Sequence, residues 1–147
     1  MKALYTSAAL LALLFNGAAL ANDHGDEHAD EARVVHYEVE TPADETAALA
    51  LLQNRADAIG EILKKDAPDG NDMEKVHEHT YSLEAAVDKL RESADSDAKE
   101  EAVDYVDEAV QALHYGSENH NIDVSREWLA KLAPAVETLE TRFKAES

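Results

Sequence analysis

The sequence predicts an all-α protein, an up-down-up-down four-helix bundle that follows a signal peptide and an acidic tail. Three observations carry this. From Thr41 onward, apolar residues recur at alternating spacings of three and four. Polar breakers divide that pattern into four stretches of similar length, which is the layout of a bundle with short loops. The 147-residue chain contains no cysteine, so a fold held by packing alone is required.

The N-terminus has the order of a secretory signal. Lys2 is followed by the apolar run Ala8–Leu14, and Ala19-Leu20-Ala21 ends it with small residues. Residues 1–21 are therefore expected to be cleaved, placing the protein in a bacterial periplasm. The run is shorter than the ~20 residues of a membrane span, so no stable span is expected after cleavage. All 32 acidic residues lie beyond Ala21, and the net charge is −19. Such a surface repels nucleic acid. Any partner protein is left unnamed by the sequence.

Residues 22–40 form an acidic, histidine-bearing tail, expected to be mostly disordered, and residues 41–147 form the bundle. Helix one is predicted over 42–65. Thr41 would be its N-cap and Pro42 its first residue. Its inner face is Ala48, Leu52, Ala56, Ile59 and Leu63. Helix two is predicted to begin near Asp72, with Met73, Val76, Thr80, Leu83, Val87 and Leu90 as its seam. "RESADSD" favours a turn, although no Gly or Pro enforces one, so a continuous helix two–three is an alternative. Helix three is predicted over 97–115, with Gly116 as its stop. It carries a stripe of Val103, Val106, Val110 and Leu113, with Ala102, Tyr105, Ala109 and Ala112 beside it. Asp123 or Ser125 would cap helix four, whose seam is Leu129, Leu132, Val136, Leu139 and Phe143. Pro134 removes a backbone donor inside that helix and is expected to bend it near Ala130.

The unusual chemistry lies in "MEKVHEHTYSLE", residues 73–84. Met73, His77, Tyr81 and Glu84 share one edge of a helix. His79 lies about 200° around the helix from His77, so the two histidines of "HEH" do not chelate one ion. His114 lies just off the seam of helix three, with Glu118 four residues on. Antiparallel packing would set Met73 and His77 opposite His114. Imidazole, thioether and carboxylate donors suit a transition metal such as Cu, Ni or Zn. A Met/His pair could also hold haem, but helix four has no histidine, which makes haem the weaker expectation. Enzymatic function is not expected: there is no G-x-S-x-G, no glycine-rich phosphate loop, and "HEHTY" has Tyr81 where H-E-x-x-H needs its second histidine. Two functions remain: a non-enzymatic periplasmic bundle binding a transition-metal ion or metal cofactor through a His/Met/Glu cluster, or a structural or protein-interaction bundle whose histidines only orient the core.

"HYE" at 36–38, "MEKVHEHTYSLE" at 73–84 and "LHYGSE" at 113–118 resemble a family of small exported bacterial proteins described only as a domain of unknown function. The matching positions are His36-Tyr37, Met73, His77, Thr80-Tyr81, Leu83-Glu84, His114 and Ser117-Glu118. The resemblance covers His36 to Glu118 and implies a helical exported protein without assigning an activity. The layout is also similar to that of small periplasmic cytochrome b bundles.

Cleavage after Ala21 would expose Asn22-Asp23-His24 with a free amine. The amine, two amide nitrogens and the imidazole can close around one ion in a plane, a site favoured by Cu(II) or Ni(II). The exported protein is expected to have the mass of residues 22–147 and to give a violet-pink band with Cu(II), lost on His24→Ala. A mass that retains residues 1–21 contradicts the cleavage, and a band that survives the substitution contradicts the site.

Overall fold

A computed structural model describes residues 38–145. The expected signal peptide over residues 1–21, Asn22, Asp23, His24 and most of the expected tail lie outside the described residues. Among the described residues there are four helices: α1 (Glu45–Leu63), α2 (Gly70–Ser93), α3 (Asp97–Glu118) and α4 (Ile122–Ala145). Each packs against its neighbour in sequence, and α1 closes the ring against α4. The predicted all-α bundle is the observed fold. Among the described residues, no helix is long and apolar enough to cross a membrane.

The core is the set of seams. Ala48, Leu52, Ala56, Ile59 and Leu63 are buried on α1, and Met73, Val76, Thr80, Leu83, Val87 and Leu90 on α2. The α3 stripe is buried throughout, as are Leu132, Val136, Leu139 and Phe143 of α4. Two expectations need correction. Tyr105 of the second α3 stripe is exposed at 51 %. Leu129 only packs partly against the core.

The helix starts differ from expectation. Asp44, not Thr41, caps α1, its side chain accepting from the Ala47 amide at 2.8 Å. A carboxylate at the N-cap outranks a threonine hydroxyl and also suits the positive end of the helix dipole. α2 begins two residues before the expected Asp72. Asp69 accepts from the Asp72 amide at 2.9 Å, and the Asp72 side chain accepts from the Asp69 amide at 3.2 Å. This reciprocal capping box lets Gly70 enter the helix despite its poor propensity. α4 is capped by Asn121, whose side chain accepts from the Val124 amide at 3.2 Å; Asp123 and Ser125 lie inside the helix. α4 continues unbroken through Pro134.

Helices two and three are separate. Ala94 adopts an extended conformation (ψ 115°), and Ser96 then caps α3 by accepting from the Lys99 amide.

Gly116 is not the α3 stop. The helix continues to Glu118, and the left-handed residue after it is His120, with φ 51°. The His120 amide donates to Ser117 O at 3.0 Å and the Asn121 amide to Gly116 O at 2.7 Å. That pair of bonds is a Schellman ending, with histidine where glycine is usual. Gly116 serves close packing instead. A Cβ there would meet Ser125 Oγ at 2.8 Å and the Ser125 backbone nitrogen at 3.1 Å.

In an unconstrained helix Gly→Ala stabilises by ~1 kcal/mol. Here Gly116→Ala is expected to destabilise, by about 1–3 kcal/mol from overpacking. Leu83→Ala and Leu132→Ala should each cost about 2–5 kcal/mol. Urea midpoints measure all three. A Gly116→Ala protein with a raised midpoint contradicts the close α3–α4 approach.

Candidate functional site

His77 lies in the second turn of α2 and His114 in the last turns of α3. Their Nε2 atoms are 3.0 Å apart. The Nδ1 of His114 contacts Glu84 Oε1 at 2.6 Å. A carboxylate only accepts, so this nitrogen carries a proton, and in the neutral ring Nε2 of His114 is then the acceptor. Nε2 of a neutral His77 is then the donor between the rings. The result is a string of hydrogen bonds, Glu84–His114–His77, that crosses twice between α2 and α3.

Tyr81 completes the cluster. Its ring centroid is 5.1 Å from that of His77 and 5.1 Å from that of His114. The imidazoles are themselves 4.7 Å apart, edge to face. Such edge-on contacts fix ring planes as well as positions. The backbone beneath each histidine is tied in the same way. Thr80 Oγ1 donates to His77 O at 2.7 Å, and Ser117 Oγ donates to His114 O at 2.8 Å. Each hydroxyl is thereby satisfied within its own helix, as a buried polar group requires.

The other expected residues sort as follows. Glu84 is the orienting acceptor of His114 and also accepts from Gln111 Nε2 at 3.4 Å. Met73 is buried in the core one turn before His77. Glu118 is exposed, one turn beyond His114. Among the described residues, no group of three or more His, Asp or Glu side chains is placed to hold a metal ion. Two nitrogens are what the described residues offer.

His79 turns toward α1, as the helix period requires. Arg55 Nη1 donates to its Nδ1 at 3.3 Å, and Arg55 Nη2 donates to Glu40 Oε2 at 2.6 Å. The Glu40 amide donates to Ser82 Oγ at 3.1 Å. The end of the acidic tail is thus fastened to α1 and α2, beside a cleft of about 580 Å³ that includes Lys75. Sequence reading had no signal for this anchor, because Arg55 lies on the polar face of a helix.

The fold and cluster define a class: a four-helix bundle with a carboxylate-oriented histidine pair between adjacent antiparallel helices. The chain belongs to a family of unknown function, DUF6746, whose match spans residues 1–140. It therefore extends beyond the His36–Glu118 motifs to residues 1–35 and most of α4, segments without distinctive motifs. No curated protein and no solved structure matches the chain.

Burial, and then the neighbouring His114, hold His77 below the ordinary histidine pKa; Glu74, Glu118 and Glu84 pull the other way. Burial, then Arg55, does the same to His79, opposed by Glu78. Both folded values lie below the unfolded one, so the unfolded chain protonates first as pH falls. The metal-free protein should keep full stability above about pH 6.5 and lose it progressively below. Asp72, lowered first by its hydrogen bond to Lys65, adds a separate loss only below about pH 4. Urea midpoints after chelator treatment, at about pH 7.5 and about pH 5, check the histidine window. An unchanged or higher midpoint at the lower pH contradicts it.

Proposed function

We propose that this is a non-enzymatic, exported helical bundle that binds one transition-metal ion between His77 and His114, with Glu84 holding the second histidine. The observation that carries the reading is the pair of Nε2 atoms 3.0 Å apart with a carboxylate behind one of them. A histidine that donates its far N–H to a carboxylate is the usual outer arrangement of a metal-bound imidazole, because the carboxylate fixes the tautomer and raises ligand basicity. Met73 and Glu118 lie one helical turn from His77 and His114 along their own helices, Met73 in the core and Glu118 exposed. Haem fits less well. Axial nitrogens on opposite faces of an iron lie ~4 Å apart with the macrocycle between them, at ~2 Å per bond. As placed, the two imidazoles contact each other directly.

The second reading is a bundle without ligand, in which the histidines only orient the core. The direct N···N contact favours it, since it satisfies both rings without an ion. A non-catalytic role is supported by the setting of the pair on packed helix faces.

Elemental analysis of tag-free protein from the periplasm separates the two. The metal reading expects about one ion per chain, and His77→Ala should remove most of it while circular dichroism stays helical. A metal-free protein whose stability ignores chelators leaves the structural reading. An ion retained in full by both His77→Ala and His114→Ala contradicts the assignment to this pair.

A further inference from the structure

The cleft between α1 and α2 holds one glutamate in two ways at once. Glu40 donates its amide to Ser82 Oγ at 3.1 Å, and its Oε2 accepts from Arg55 Nη2 at 2.6 Å. The nitrogen and the side-chain carboxylate of a single residue are thus read by two helices. Ser82 is buried, and Arg55 Nη1 donates to His79 Nδ1 at 3.3 Å, which orients the guanidinium. An arginine presents Nε–H and Nη2–H as a parallel pair along one edge, matched to the two oxygens of a carboxylate. Glu40 takes one prong of that fork. Arg55 Nε is buried and, among the described residues, has no hydrogen-bond partner. Glu40 is tied into the chain on both sides, five residues before α1 begins at Glu45. A free molecule carries no such tether and can take both prongs.

We propose that this cleft is a binding site for a free acidic amino acid, and that Glu40 occupies it as a tethered copy of that ligand. The ligand's side-chain carboxylate takes both prongs of Arg55. Its ammonium donates to Ser82 Oγ in place of the Glu40 amide. The cleft, of about 580 Å³, also contains Glu78, whose charge suits the ammonium, and Lys75, a cation for the second carboxylate. Among the described residues Lys75 forms no ion pair. A ligand with a single surplus negative charge enters a chain of net charge −19 against less repulsion than a dianion does. Displacing Glu40 also withdraws one carboxylate from the cleft as the ligand arrives. The site shares no residue with the His77–His114 pair and does not depend on the metal reading.

The probe is L-glutamate, titrated calorimetrically into the tag-free chain after chelator treatment and into its Glu40→Ala variant. Glu40→Ala removes the tethered competitor and should bind glutamate roughly tenfold or more tightly than the parent, in which Glu40 must first be displaced. Glutarate lacks the amine and glutamine lacks the side-chain carboxylate. Each should bind Glu40→Ala about tenfold or more weakly than glutamate does, because a buried donor or acceptor is then left unmatched. Adding Arg55→Gln to Glu40→Ala should abolish binding, with circular dichroism confirming the helices. Adding Lys75→Gln instead, at an exposed position that leaves the fold intact, should weaken binding severalfold. Glutarate that binds as tightly as glutamate overturns the amino-acid assignment. Absence of glutamate binding to Glu40→Ala, or a Kd that neither Arg55→Gln nor Lys75→Gln changes, overturns the site. A parent chain that stays empty at about a hundredfold the Kd of Glu40→Ala overturns it as a site of the native protein.

Discussion

The reversal at Ala94–Ser96 is the constraint on which the site depends. It sets the register of α2 on α3. His77 lies 17 residues before Ala94, and His114 lies 18 after Ser96. At a rise of 1.5 Å per residue the two reach nearly the same height on antiparallel helices. The same register brings Arg91, close to the turn, onto Asp104 and Asp107 at 2.6 Å each. These exposed pairs contribute little stability. They run from one helix to the other and so oppose slippage. A continuous helix two–three would have separated His77 from His114 by about 55 Å, further than the length of any one helix of the bundle.

The second constraint is the approach of α3 to α4. Gly116 lets the Ser125 backbone come close, so the link between the helices needs only Asn119, His120 and Asn121. That compact end leaves the last turns of α3 beside the start of α2, where His114 meets His77. Ser125 is fully buried, and among the described residues its Oγ has no hydrogen-bond partner. Two further ties hold this end. Arg126 donates to Leu63 O at 3.0 Å, satisfying an open carbonyl at the end of α1, and to Lys65 O at 2.6 Å in the link that follows. Lys65 in turn pairs with Asp72 at 2.6 Å.

Charge shapes the molecule without specifying the fold. A net −19 favours solubility and self-repulsion. Three arginines sit at joints: Arg55 holds Glu40, Arg91 bridges α2 and α3, and Arg126 holds the end of α1. Lys99, with only 5 % of its side chain exposed, pairs with Asp95 at 2.8 Å and sits 5.1 Å over the Phe143 ring. It thereby links the start of α3 to the end of α4.

The sequence by itself determined the helical class, the four seams and the separation of His77 from His79. These follow from periodicity, a local property that burial of one apolar stripe imposes on each helix. It also placed His77 and His114 on facing edges, because the length of each helix to the turn can be counted. The tertiary structure decided what those edges do. Whether Glu84 joins an ion or holds His114 depends on a separation of a few ångströms across two helices, and spacing along one chain does not fix that. The same holds for Gly116. Read locally, a glycine near a helix end is a stop; the surface of α4 makes it a contact instead. The Arg55–Glu40–Ser82 anchor was invisible for the same reason, since polar residues on a helix face acquire a meaning only when a second segment lies against them.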